Sequence, residues 1–480
     1  MNPHELWHST ALRQLEQRHA DHQPGLMVLA GSAIADWIMD HYTKQPIAVV
    51  AGPGNNGGDA LIAAQQLQRA GWPIQVHRYG SCLHAELEKG LLITTTPTEP
   101  GAGILLDGLF GIGLHQAPRD EAADWIQCIN LSGSTIIAID VPSGLDSDTG
   151  HVPGAVVHAA QTLTLIGNKP GLHTGIGRDV AGNVHVLDLG VAANDTANYT
   201  LITRENVSWL PARAHASHKG SFGTAAVIGG GEGMVGAALL AGRAALHAGT
   251  GKVFVGLLDD TLAVDPQQPE LMIRAASALS HQAEIDVFAI GPGLGQSDAA
   301  LALVDHALVL PQPLILDADA LNLVSSHLAL QHQLKARPIN STILTPHPAE
   351  AARLLGSTTG EVQTNRIAAA EQLRDRYQCT VVLKGAGSII AAPDAATAIN
   401  GSGNGALAAA GQGDVLTGVI AALLAQGLNA YDAARLAVWA HGFAADQWRQ
   451  HYPTGIGLTA SDTLQLVRGV LNHRDFGIAV

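Results

Sequence analysis

The stretch "IAVVAGPGNNGGDALIAAQQLQRAG", Ile47 to Gly71, decides the fold. A short apolar run bounded by glycine reads as a buried strand, and the apolar spacing that follows reads as a helix. Gly52, Gly54 and Gly57 fit the spacing G-x-G-x-x-G. Such a loop lets backbone N–H groups approach phosphate oxygens at the positive end of a helix dipole. An anion is therefore expected here. Two features speak against a conventional redox cofactor. Asn55, Asn56 and Asp59 put two amides and a carboxylate where a pyrophosphate site stays uncharged. A cofactor fingerprint also places an acid about 20 residues on, where "IQVHRYG" offers His77 and Arg78.

Outward from this stretch the same rhythm repeats. "PIQVHRYG", "GILLDGLFG", "STIIAIDVPSG", "QTLTLIG" and "NVHVLDLG" alternate with helical patterns, preceded by helices over "ALRQLEQRHA" and "GLMVLAGSAIADWIMDHY". The pattern predicts a parallel sheet with helices on both faces. "VAANDTANYT", from Val191 to Thr200, lacks periodicity and is the expected linker. The rhythm then resumes in "TAAVIGG", "KVFVGLL", "VFAIGPG", "PLILDADAL", "TILTPHPAE" and "TVVLKGAGSIIAA", with a long helical finish from "GDVLTGVIAALLAQG". The expected organisation is α/β throughout, in two domains, residues 1–200 and 201–480. Their motifs differ, so two different catalytic units on one chain is the simplest reading.

Composition narrows the partners. Lys plus Arg number 26 against 41 acids, and no basic run occurs, so neither nucleic acid nor an anionic membrane is an expected partner. "VLTGVIAALLA" is too short to span a membrane. No basic segment followed by an apolar run opens the chain, so no signal peptide is expected. Cys82, Cys128 and Cys379 form no C-x-x-C pair, and free thiols in a reducing cytoplasm are expected. Alanine-rich surfaces would allow a homo-oligomer.

In the first half, "GNNGGD", "DGLFGIGLH" and "IDVPSGLD" fall at strand ends, where open parallel sheets bind ligands. Asp107 and Asp140 each close an apolar strand, a costly place for an unpaired carboxylate. Each could instead cap a helix or turn; three such clusters together favour a site. "GPGNNGGD", "DGLFGIG", "DVPSGLD", "GNKPGL" and the upstream "PGLMVLAGSAIADWI" together resemble the NAD(P)H-hydrate epimerase domain. The resemblance implies a Rossmann-like three-layer fold. It implies that a damaged dinucleotide, hydrated on its nicotinamide ring, is the substrate rather than a cofactor. By residue, it implies substrate contacts at Asn55, Asn56, Gly57, Gly58 and Asp59. A second set is Gly111, Ile112, Gly113, Leu114, His115, Gln116 and Ala117, with Asp140 as a further contact. It implies a potassium ion held by Asn56, Asp107 and Ser143. Oxygen ligands with one carboxylate suit a hard cation. A carboxylate shielded from water gains basicity, and Asp140 is the candidate base. Lys169 in "GNKPGL" reads either as a neighbour of the same pocket or as a solvated loop lysine.

In the second half the sharpest motif is "NGALAAAGQGDVLTGVIAALL". Backbone N–H groups at a glycine-rich helix start stabilise phosphoryl charge. A carboxylate placed there repels phosphate unless it takes a proton, so Asp414 reads as a base on a hydroxyl beside the transferred group. The motif is that of ribokinase-like kinases. "HKGSFGTAAVIGGGEGMVG", "IGPGLG", "LDADAL", "TPHPAE" and "KGAGS" narrow the resemblance to the ADP-dependent NAD(P)H-hydrate dehydratases. That resemblance implies a ribokinase-like α/β domain with substrate contacts at Ala237, Gly295, His347 and Asp414. It implies nucleotide contacts at Lys384, Gly385, Ala386, Gly387, Ser388 and Gly413. ADP is the co-substrate, with Mg2+, and Glu350 is tied to the magnesium and phosphate network. Ala409, Ala410 and Gln412 depart from the residues relatives often carry in the anion loop.

The reading is a bifunctional repair enzyme: the first half interconverts the R and S hydrates, and the second dehydrates the S form with ADP. The alternatives are a vitamin or sugar kinase with an accessory dinucleotide-binding domain, and a first half that only binds or regulates.

Overall fold

The computed structural model describes residues 2–81, 83–97, 101, 103–113, 116–192, 196–259, 262–279 and 284–472. The chain divides into two compact units, Met1–Leu201 and Ile202–Val480.

The strands of the first unit are β1 (Glu5–Leu6), β2 (Ile47–Ala51), β3 (Ile74–Arg78), β4 (Ile93–Thr94), β5 (Ile104–Gly108), β6 (Thr135–Ile139), β7 (Gln161–Leu165) and β8 (Asn183–Leu187). β2 to β8 form a seven-stranded sheet in the order β4-β3-β2-β5-β6-β7-β8. Every pair in it is parallel. Strand side chains alternate between faces, and β2 does so with both faces buried. Ile47, Val49 and Ala51 enter one core with the helices Leu26–His41 and Asn55–Arg69. Val50 enters the other core with Trp125, Ile126 and Ile129 of the helix Glu121–Leu131. The three-layer expectation is met. The strand order reverses between β2 and β5, and open α/β sheets bind ligands at such a reversal.

β9 (Tyr199–Ile202) begins inside the stretch read as a linker, and Glu5 and Leu6 of β1 pair with its Thr200 and Tyr199. Partners distant in sequence supplied this strand, so local polarity misled. Ala193, Asn194 and Asp195 of that stretch lie outside the described residues.

The second unit contributes β10 (Thr224–Gly229), β11 (Lys252–Leu257), β12 (Met272–Ala275), β13 (Val287–Ile290), β14 (Leu314–Leu316), β15 (Thr342–Leu344), β16 (Thr380–Leu383), β17 (Ile389–Ala392) and β18 (Ala395–Asn400). They run in the order β18-β17-β16-β15-β14-β13-β10-β11-β12. β17 pairs antiparallel with both β16 and β18, and the pairs from β16 through to β12 are parallel. The order reverses between β13 and β10. Alanine abundance has a packing role here. Ala238, Ala241, Ala244 and Ala245 of the helix Val235–His247 share a core with Val415, Val419 and Ile420 of the helix Gln412–Ala425. A Cβ on Gly418 would stand 2.0 Å from the Ala241 carbonyl oxygen, so glycine is needed for this approach. Among the described residues no helix is long and apolar enough to cross a membrane.

Candidate active sites

In the first unit the opening glycines divide their work. A Cβ on Gly52 would lie 1.8 Å from the Leu109 carbonyl oxygen, and one on Gly57 would lie 2.0 Å from that of Gly52. These two let the β2 turn, the β5 turn and the helix start nest together. A Cβ on Gly54 would meet nothing within 4 Å. Gly54 is the N-cap of the helix Asn55–Arg69, whose start carries no side-chain cap.

Asp107 is the penultimate residue of β5 and is fully buried. It accepts from Ser143 Oγ at 2.7 Å, Ser143 N at 3.0 Å and Leu109 N at 3.2 Å. Burial pushes its carboxyl up to about 6, against the pull of the Ser143 and Leu109 bonds. Ser143 Oγ also accepts from Phe110 N at 2.8 Å. The Asn56 Nδ2 atom is buried without a hydrogen-bond partner. The Asn56 side chain approaches Gly111, where a Cβ would stand 3.3 Å from its Cγ. Among the described residues no group of three or more His, Cys, Asp or Glu side chains could hold a metal ion. The expected potassium set is of another kind: one carboxylate, one hydroxyl and one amide. A desolvated carboxylate beside an orphaned amide fits a weakly charged hard cation, because turning the amide over presents its oxygen.

Asp140 follows β6 at φ 68, a left-handed conformation rare outside glycine and costly unless its surroundings hold it. Its Oδ1 accepts from Leu165 N at 3.1 Å and pairs with Lys169 Nζ. Lys169 is 1% exposed. It also donates to Thr164 Oγ1 at 2.9 Å, Leu165 O at 2.8 Å and Gly167 O at 3.0 Å. Asp59 is buried, and its carboxyl is held well above its ordinary range by desolvation, then by Asp140 and Glu16. Glu16, from the helix Ser9–Arg18, is raised by burial and by Asp140. Sequence reading missed Glu16, whose helix gave no sign of its neighbours. Gly57 and Gly58 are buried, whereas Asn55, Gly113 and Gln116 are exposed. Ile112 packs beside Val141. Ala117 lies against Gly154, where a Cβ would lie 3.2 Å from its own. Leu114 and His115 lie outside the described residues, as does Cys82.

In the second unit four strand ends converge. Asp317 directly follows β14 and is 1% exposed. It is the N-cap residue of the helix Ala318–Ser326, yet its side chain makes no capping bond. Instead its Oδ1 accepts from Lys384 Nζ at 2.7 Å and its Oδ2 from Thr417 Oγ1 at 2.8 Å. Lys384 directly follows β16. Burial works against its charge, but Asp317, Glu350 and Asp414 outweigh this and raise its pKa. Sequence reading assigned Asp317 no role, although it carries the signal that marked Asp107 and Asp140: an acid ending an apolar strand.

His347 caps the helix Pro348–Leu355, its Nδ1 accepting from Ala349 N at 3.1 Å and Glu350 N at 3.3 Å. Glu350 answers by accepting from His347 N at 2.8 Å. Burial lowers His347 and raises Glu350. Gly295 N donates to Asp319 Oδ2 at 2.9 Å. Ala237 sits in the first turn of its helix, and a Cβ on Gly293 would lie 3.1 Å from its own. Gly385 N donates to Ser388 Oγ at 3.2 Å, closing the turn over Ala386 and Gly387. Beneath that turn, Arg366 donates to Lys384 O at 3.2 Å.

Gly411, at φ 83, caps the helix Gln412–Ala425 with no side-chain cap bond. Asp414 is therefore not the cap. It lies in the first turn, with its carboxyl pushed up to about 7 by burial and by Asp317, against the pull of Lys384. A Cβ on Gly413 would lie 3.3 Å from Lys384 Nζ. Gly413, Lys384, Asp317 and Asp414 thus form one cluster beside a helix N-terminus.

Comparison with known proteins matches both halves. Residues 225–466 fit the family model described as NAD(P)H-hydrate dehydratase, and residues 23–171 that described as YjeF-related protein N-terminus. The bifunctional NAD(P)H-hydrate repair enzyme Nnr of Escherichia coli is 36% identical, with 98% of this chain and 94% of that protein covered. The ADP-dependent (S)-NAD(P)H-hydrate dehydratase of Neisseria meningitidis is 44% identical, with 55% of this chain and 89% of that protein covered. Among solved structures, the ADP/ATP-dependent NAD(P)H-hydrate dehydratase of Bacillus subtilis, co-crystallised with ATP/Mg2+, is 33% identical at a TM-score of 0.50. It covers 58% of this chain and 99% of that one. A ribokinase-like superfamily protein of Enterococcus faecalis shares the fold at a TM-score of 0.51 and 24% identity, with 59% of this chain and 99% of that one covered. The chain belongs to the family of bifunctional NAD(P)H-hydrate repair enzymes.

Proposed function

We propose that the chain repairs hydrated NADH and NADPH, interconverting the R and S hydrates in its first unit and dehydrating the S hydrate with ADP in its second. The observation that carries this reading is the pair of unlike acid–lysine centres, Asp140 with Lys169 and Asp414 with Lys384 and Asp317, one at the strand ends of each sheet. A kinase with a mere accessory domain leaves the first centre unexplained.

In the second unit, hydroxide is a poor leaving group and phosphate a good one. Asp414 takes the proton of the ring hydroxyl as that oxygen attacks the terminal phosphorus of ADP, and AMP departs. Phosphate then leaves the ring carbon, the neighbouring carbon gives up a proton, and the ring double bond is restored. Lys384 and the N–H groups at Gly413 stabilise phosphoryl charge, and Gly385 to Ser388 hold the nucleotide. Mg2+ would supply counter-charge to the nucleotide phosphates, and Glu350 would help to hold it. Ala237, Gly295 and His347 contact the hydrated substrate.

In the first unit, inverting a carbon that bears hydroxyl and nitrogen requires one of those bonds to open and re-form. Either course moves one proton. Asp140 accepts and returns it, and Lys169 holds the carboxylate in place. Asn55 to Asp59 and Gly111 to Ala117 bind the dinucleotide. Asn56, Asp107 and Ser143 would hold potassium, which would supply a fixed positive charge to the site. Free Cys128 and Cys379 fit a cytoplasmic setting. Incubation of the chain with mixed R and S hydrates tests the whole: ADP should restore reduced-nicotinamide absorbance completely.

A further inference from the structure

Gln412 stands between Gly411 and Gly413 and is turned away from the nucleotide site. Its side chain is 5% exposed. Both ends of its amide are engaged: Nε2 donates to Thr463 Oγ1 at 3.0 Å, and Oε1 accepts from His441 Nε2 at 3.1 Å. Thr463 is fully buried and passes the chain on, donating to Thr459 O at 3.1 Å. His441 is 7% exposed, and burial pushes it down to about 4, so it is neutral and must carry its proton on Nε2. The three side chains come from three helices, Gln412–Ala425, Ala430–His451 and Ala460–Asn472.

Burying three polar side chains costs free energy unless every one is satisfied, and a satisfied network fixes one arrangement. The residues just before Gln412 cannot do this work. Ala409 and Ala410 are exposed and have no polar side chain. Gly411 and Gly413 have no side chain at all, and the first-turn N–H groups must nevertheless point one way to serve an anion.

We propose that Gln412, His441 and Thr463 form a clamp that fixes the peptide planes from Gly411 to Asp414, making Gln412 and Thr463 positioning residues for phosphoryl transfer. The clamp rests on the ADP-dependent reading of this unit. It acts on nucleotide binding and on the rate without touching nucleotide, and it leaves the hydrate contacts at Ala237, Gly295 and His347 alone.

The test uses the full chain with the pure S hydrate, measuring kcat and both KM values, with unfolding followed in parallel. Gln412→Met keeps the volume and removes both bonds; Thr463→Val keeps the shape and removes the hydroxyl; Thr463→Ser keeps the hydroxyl. With each bond worth about 1 kcal/mol, Gln412→Met and Thr463→Val should each cost about fivefold or more in kcat/KM for ADP. KM for the hydrate should change less than KM for ADP, since Asp414 is the one hydrate contact the clamp holds. Thr463→Ser should restore the wild-type values, and adding Thr463→Val to Gln412→Met should cost nothing more. Folded variants with wild-type ADP kinetics would overturn the clamp. So would ADP and hydrate constants that worsen together with the folded fraction, since that marks a general structural role. A wild-type chain that dehydrates the S hydrate without ADP would instead overturn the ADP reading itself.

Discussion

Lys384 Nζ donates to Asp317 Oδ1 at 2.7 Å, across 67 residues of sequence, and Asp317 passes its other oxygen to Thr417. The pair aims the lysine at the N-terminus of the helix Gln412–Ala425, and it leaves Asp317 dependent on a positive partner. Lys384→Met should therefore do two things. It should weaken ADP binding, and it should destabilise the fold by about 3 kcal/mol, because a buried carboxylate loses its partner. Adding Asp317→Asn should recover most of the stability and none of the binding. Urea unfolding and calorimetry with ADP check the two effects separately.

The Asp414 carboxyl titrates at about 7. As a base it must be ionised, so kcat/KM for dehydration should fall about tenfold per pH unit below pH 7 and level off above it. The sign for stability is opposite. A carboxylate raised in the fold favours the protonated native state, so its contribution is full below the ordinary carboxylate range, declines as pH rises from there, and is gone above 7. Asp414→Asn should cost roughly 10²–10⁴-fold in rate, the usual worth of a general base. ADP affinity should be kept or improved, since a negative charge near the phosphates is gone.

Asp107 takes up a proton at about 6 when no cation balances it. On the proposed potassium assignment, proton and potassium would compete for this one carboxylate. Potassium affinity should weaken about tenfold per pH unit below 6 and be constant above. Asp107→Asn should remove the potassium response of epimerisation and leave dehydration of the S hydrate intact. A potassium titration of the epimerase rate at two pH values checks both.

Lys169 makes four bonds from a buried position, to Asp140, Thr164, Leu165 and Gly167. Lys169→Met should abolish epimerisation and lower the unfolding midpoint, because Asp140 stays buried without its partner. The double change with Asp140→Asn should recover stability while epimerisation stays absent. Thermal unfolding of both variants, with dehydration as the internal control, decides it.

The sheets were legible wherever strands are buried on both faces. Ile47–Ala51 reads as an apolar run because Val49 and Val50 serve opposite cores. The illegible strands lie where that signal fails. Met272–Ala275 and Ile93–Thr94 are edges, and Ala395–Asn400 is an alanine-rich strand held by antiparallel pairing with β17. Tyr199–Ile202 looked like linker because its pairing partner lies near the start of the chain. The site divided similarly. Acids that end apolar strands announce themselves, as Asp107 and Asp140 did. Pairings do not: Asp317 meets Lys384 through the register of parallel strands, and Glu16 reaches its carboxylate neighbours through tertiary packing alone. Gln412 read as a departure within the anion loop, since its partners His441 and Thr463 lie on later helices.

The most direct measurement takes a known mixture of R and S hydrated NADH with excess ADP and follows the final absorbance of reduced nicotinamide. The whole chain should convert the mixture completely. Asp140→Asn should stop at the fraction that began as S, and Asp414→Asn should convert almost nothing on the same timescale. Full conversion by Asp140→Asn would contradict the division of labour, and conversion without ADP would contradict the phosphoryl-transfer chemistry of the second unit.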